Sequence, residues 1–163
     1  MVSSQFVVRL YKTFKDEHFI YFLMSYLDGV NFFDFLRQIG LCNKTKAQFF
    51  TGCLVLALEH LHDSNIIYRD LKPENIVVDE TGYLNIVDLG IGKLLGEDNG
   101  YRTFTIVGTP HYMAPEIVTM QGYTFSADLW SLGIILYEMM CGSLPFGNSI
   151  DDPYEIFKEI DSK

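Results

Sequence analysis

Basic residues are scarce: 12 Lys and Arg stand against 21 Asp and Glu in 163 residues, a formal charge of −9. That sign excludes the positive footprint that nucleic acid or an anionic membrane selects, and it favours a basic peptide as a charged partner. Cysteine is sparse and odd in number. Cys42, Cys53 and Cys141 lie far apart with no CxxC spacing, so neither a disulfide framework nor a metal knuckle is expected and a reducing compartment follows. No apolar run is long enough to cross a bilayer; the longest, 129–142, is interrupted by Ser131 and Glu138. The first residues lack an apolar stretch followed by a small-residue cleavage pattern, so the expected location is cytoplasmic. Five Pro and 13 Gly are scattered without a repeat.

What is plentiful is apolar surface, 48% of residues with 15% aromatic, the composition of a chain that folds around a core. Two β-rich aromatic runs, 6–14 and 19–24, flank the polar turn Lys15-Asp16-Glu17 and predict a hairpin. Phe32, Phe35, Leu36 and Ile39 fall at i, i+3, i+4 and i+7 behind Asn31, which is placed to cap a short helix over 31–39. Helical spacing resumes over 44–62, with Gly52 its weak position. The period then changes: 76–78 and 83–87 are β-branched runs around Asp79-Glu80-Thr81-Gly82, a second hairpin. Residues 88–109 read as a loop. A helix is expected from Ser126, a candidate N-cap, to Met140, and a last one behind Asp152-Pro153, with Ile156, Phe157 and Ile160 on its apolar face.

Between the long helix and the second hairpin stands Tyr68-Arg69-Asp70-Leu71-Lys72-Pro73-Glu74-Asn75. A loop presenting Asp, Lys and Asn within six residues can accept a hydroxyl proton, steady a phosphoryl group and bind a divalent cation. The plainer alternative is a solvated turn with one ion pair. The string RDLKPEN, whose seven letters arise by chance in one window on the order of 10⁻⁹, resembles the catalytic loop of Ser/Thr protein kinases. Asp88-Leu89-Gly90 is similar to that family's metal-binding triplet, with Leu where Phe is usual. Met113-Ala114-Pro115-Glu116 and Asp128-Leu129-Trp130-Ser131-Leu132-Gly133 resemble later family motifs in the right order. Tyr68 before Arg-Asp, the tract 102–110 and Leu144-Pro145-Phe146 look most like the cyclic-nucleotide-dependent branch, cyclic-GMP-dependent kinases above all.

The resemblance implies an α+β, protein-kinase-like fold: the last two strands and hinge of an upper lobe in 1–27, and over 28–163 a mainly helical lower lobe that lacks its final helices. It implies that Asp70 orients or accepts the proton of a substrate Ser or Thr, that Lys72 supports the γ-phosphate of ATP, and that Asn75 and Asp88 hold Mg²⁺. Thr109 would stand beside the catalytic aspartate, and Leu89 would remain an apolar plug. Backbone groups near Tyr26 and Leu27 would meet adenine. Thr105 matches a phosphorylated position, with Arg69 and Lys93 as its cationic partners. Glu74 and Glu138 match acids that receive basic residues before the phosphoacceptor, while Ile106, Pro110 and Met113 would line an apolar pocket after it. The other reading of Glu138, a lone acid in an apolar helix, is an internal pair with an Arg.

Two positions depart from the branch: Asn31, where an acid is common, and His111, where Glu is. The family's glycine-rich loop, strand lysine and helix glutamate have no candidates in the chain, nor has the arginine that usually pairs with Glu116. The expectation is therefore a piece of a larger kinase, with a regulatory domain elsewhere in the parent and little activity by itself. A non-catalytic, kinase-like binding module is the alternative.

Overall fold

The computed structural model describes residues 4–162; Met1–Ser3 and Lys163, the ends of the two expected pieces, lie outside that range. Strands β1 (Leu10–Lys15) and β2 (Ile20–Met24) form the expected hairpin, with Asp16 accepting from the backbone N–H groups of His18 and Phe19 at its turn. The strand does not begin at Phe6, however. Residues 6–8 run instead beside a distant strand, Val8 N–H donating to Ile86 O and Ile86 N–H to Phe6 O, because Phe6 and Val8 bury there and not in the hairpin.

A short strand that the sequence pattern does not reveal, β3 (Gly29–Asn31), leads into helix α1 (Phe32–Ile39). Asn31 caps it as expected, its Oδ1 accepting from Phe33 N–H at 3.0 Å. Helix α2 (Lys44–Asp63) starts behind a cap supplied by Asn43, which accepts from Lys46 N–H. Strand β4 (Ile66–Ile67) follows, then the catalytic-loop motif, whose Pro73–Asn75 form one 3-10 turn, and the hairpin β5 (Ile76–Asp79) and β6 (Leu84–Ile86). β5 is the middle strand of β3-β5-β6, all antiparallel.

The stretch read as a plain loop carries β7 (Lys93–Leu94), paired antiparallel with β4, and a 3-10 turn at Glu97–Asn99. Beyond it come α3 (Pro115–Val118), α4 (Ser126–Cys141) and α5 (Pro153–Asp161). Asp152 caps α5 by accepting from Tyr154 N–H. Ser126 does not cap α4: the cap position is Phe125, and the Ser126 hydroxyl is turned to Thr124 and Glu116.

One core joins Leu54, Leu58 and Leu61 of α2, Leu132, Ile135 and Met139 of α4, and Ile76, Leu84 and Ile86 of the sheet. Leu54 is fully buried, and truncating such a side chain to Ala costs about 2–5 kcal/mol. A second cluster gathers Ile67, Leu95, Met113, Ala114, Ile117, Tyr123 and Ala127. The α4 helix leaves Leu129, Tyr137 and Met140 exposed. Among the described residues no helix is long and apolar enough to cross a membrane. The three thiols are free, with burial raising the pKa values of Cys42 and Cys53.

Candidate active site

The loop between β4 and β5 is positioned from below. Asp128, in the first turn of α4 and 1% exposed, accepts from the backbone N–H of Tyr68 at 2.9 Å and of Arg69 at 2.8 Å, and its Oδ2 lies 2.8 Å from His62 Nε2 on α2. Those bonds hold Arg69 at φ 74°, the left-handed region that L-residues visit at a cost. The reversal turns the chain so that Asp70 faces outward while Leu71 stays buried.

Asp70 is then fixed by three side chains. Thr109 Oγ1 donates to its Oδ1 at 2.8 Å; Asn75 Nδ2 donates to its Oδ2 and to its backbone O, both at 2.9 Å; Lys72 Nζ lies 3.1 Å from Oδ2. Lys72 Nζ also donates to Thr109 Oγ1 at 2.7 Å, closing a ring of three groups around one carboxylate that is 18% exposed. Thr109 comes from the segment before α3, and its approach depends on Gly108. At φ 117° a side chain is strained, and a Cβ there would stand 2.6 Å from Arg69 O.

Asp88 lies exposed after β6, its Oδ1 accepting from Gly90 N–H. Tyr68 is buried between this carboxylate and those of Asp70 and Asp128: burial first, then the three anions, pushes its phenol far above the usual range. Leu89 is not the apolar plug expected of it. It lies at the surface, 36% exposed.

Thr105 is exposed, and its backbone carbonyl accepts from Tyr123 Oη at 2.6 Å. Its expected cationic partners are engaged nearby: Lys93 Nζ donates to Thr103 Oγ1, and Arg69 Nε to Ile91 O. Of the apolar trio, Met113 is buried beside Asp70, Thr109 and Tyr112, whereas Ile106 is exposed and Pro110 opens a 3-10 turn. Glu138 has a partner that the sequence did not suggest. It accepts from Tyr112 Oη at 2.8 Å, in place of the arginine pair, and burial with Glu74 nearby raises its pKa. Glu74 itself is exposed, and its carbonyl accepts from the Asn31 side-chain amide at 2.7 Å. His111 Nε2 lies 3.2 Å from Gly147 O. Tyr26 and Leu27 occupy the irregular link between β2 and β3, with Tyr26 88% exposed.

Sequence comparison bears on this arrangement directly. The model of the protein kinase domain matches residues 1–162. The chain belongs to the protein kinase family. This kinase domain sequence is 49% identical over 155 residues to the cGMP-dependent protein kinase of Toxoplasma gondii, covering 95% of the chain and 15% of that protein. It is 44% identical over 158 residues to an isozyme 2 form of the cGMP-dependent protein kinase of Drosophila melanogaster, covering 97% of the chain and 16% of the relative. Against the human cAMP-dependent protein kinase catalytic subunit PRKX it is 41% identical, covering 98% of the chain and 43% of that subunit. The chain thus spans less than half the length of these curated relatives. Two residues that hold the loop before Asp70 lacked a sequence-based role: Asp128, whose signal was an acid inside an apolar helix, and His62, which gave none.

Proposed function

We propose that this chain carries the catalytic loop of a cytoplasmic Ser/Thr protein kinase that phosphorylates basic peptides. The observation that supports it is the ring of Thr109, Lys72 and Asn75 around Asp70. A solvated turn with one ion pair would not need three groups from two distant segments to aim a single carboxylate. In this reading Asp70 takes the proton of the attacking hydroxyl, and its fixed orientation removes rotamer freedom from the reactive geometry. Lys72, with three N–H donors and two engaged, extends the third towards the transferring phosphoryl group.

The donor set fits magnesium. Asn75 spends its amide N–H₂ on Asp70 and retains its carbonyl oxygen, and Asp88 supplies carboxylate oxygens. Among the described residues no three His, Cys, Asp or Glu side chains cluster as a metal cage. Magnesium is commonly held by one or two side chains together with phosphate oxygens and water. When bound, the ion neutralises charge on the phosphates. Tyr26 and Leu27 make no backbone hydrogen bonds among the described residues, which suits contact with an adenine edge.

Residues 4–27 would then be the base of an upper lobe and its hinge, and 28–162 the lower lobe. Glu74 and Glu138 would receive basic residues ahead of the phosphoacceptor, and Thr105 would be a regulatory phosphosite. Turnover, and control by a regulatory domain, are assigned to the full-length protein and not to these 163 residues alone. The test is Asp70→Asn in the full-length protein, which should lower peptide phosphorylation by about 10²–10⁴-fold with Mg-ATP affinity retained. Undiminished phosphorylation would overturn the reading.

A further inference from the structure

Beside Glu138 lies a cleft of about 260 Å³ between α1 and the C-terminal end of α4. Phe33, Leu36, Leu41 and Met139 supply its apolar walls, with Arg37 and Glu138 its charged members. Ligand sites for cofactors and drug-sized molecules run from about 300 to 1,000 Å³, so the cleft is small for those. An apolar cavity of about 150 Å³ accommodates a benzene ring, so one large side chain fits well.

The position of the cleft follows a continuous line of contacts. Asp70 bonds to Thr109, Tyr112 follows Thr109 by one 3-10 turn, Tyr112 bonds to Glu138, and Glu138 borders the cleft. A peptide whose hydroxyl sat at Asp70 and whose basic residue met Glu138 would reach the border of the cleft with that basic residue, since Glu138 lines it. The charge there has changed. Arg37, its guanidinium 5.5 Å from the Phe33 ring centre, repels a further Lys or Arg, and the surrounding walls reward an apolar group.

We propose that this cleft is a specificity subsite for a large apolar side chain, Leu or Phe, lying N-terminal to the basic residue held by Glu138. The proposal rests on the kinase reading given above and narrows its substrate class to peptides with an apolar residue upstream of their basic one. Leu41 is the natural point of attack, because it is 63% exposed and its replacement opens no core.

The experiment uses the full-length protein and a set of basic Ser peptides in which each upstream position is in turn Ala, Leu, Phe or Arg. At one upstream position Leu or Phe should raise kcat/KM about tenfold over Ala, the effect of burying most of one such side chain, while Arg gives no gain. In Leu41→Asp the Leu-to-Ala ratio should fall to near one. The ratio is taken within one preparation, so it is independent of how much active protein each variant yields, and Leu41→Ser repeats the test without the charge. A ratio of one at every position in the unaltered protein, with the need for basic residues intact, overturns this subsite and leaves the kinase reading standing. An apolar preference that survives both Leu41 substitutions also overturns it. Indifference to basic residues overturns the assignment of Glu138, and the subsite with it.

Discussion

The support that Asp128 gives the catalytic loop can be tested by removing it. Asp128→Ala takes away the acceptor of two backbone N–H groups and of His62 at once. Each buried N–H left without a partner costs about 1–3 kcal/mol, so the two together should cost about 2–6 kcal/mol, a range that includes the cost of breaking a buried charged pair. Against the 5–15 kcal/mol that a domain of this kind commands, that is a large fraction. His62→Ala removes only the side-chain partner and leaves both backbone bonds, and should cost about 1–2 kcal/mol. Arg69 should also relax from φ 74°, so Asp70 swings out of register even in molecules that stay folded. Urea denaturation of the two variants gives the stabilities, and hydrogen exchange over 66–72 reports the freed amides. A loss below 1 kcal/mol for Asp128→Ala, or an equal loss for both variants, would refute the argument.

Thr109→Val should lower kcat by about 10–100-fold with little change in KM for ATP, because Asp70 loses one of its orienting bonds, while Thr109→Ser should restore most of it; steady-state kinetics decide. Thr105→Ala should lower activity and leave the segment 102–109 more open to protease, and equal activity with equal protection would remove Thr105 as a switch. Glu138 has a native pKa above its unfolded value, so the folded state binds the proton more tightly and stability should fall as pH rises from the unfolded carboxylate range through the raised native one. Glu138→Gln keeps an acceptor for Tyr112 and should therefore raise the thermal midpoint near neutral pH, with the gain vanishing at acid pH.

How much of this was legible depended on the distance over which each feature is decided. Asn31 and Asp152 cap helices through N–H groups two residues away, and such local bonds are written in residue order. The catalytic loop was legible because its residues are consecutive. Strand β7 was not: Lys93 and Leu94 are extended because Ile66 and Ile67 lie beside them, and two residues carry no period of their own. Phe6 was misassigned for the same reason, since its alternation suits either hairpin or sheet and the deeper core took it. For Glu138 the rule that buried charge is partnered was right, but the partner was a tyrosine four residues past an ordinary-looking glycine, Gly108, in the sequence.

Every residue of β1 and β2 is exposed, and the two arms are joined at their base, where Ser25 N–H donates to Arg9 O at 2.8 Å and Arg9 N–H to Ser25 Oγ at 3.0 Å. A swing of β1 and β2 as a unit therefore moves none of their own side chains out of the core. Tyr26 and Leu27 directly follow Ser25 in the chain. A displacement of the hairpin tip near Asp16 would therefore arrive, reduced in amplitude, at the backbone proposed to face adenine.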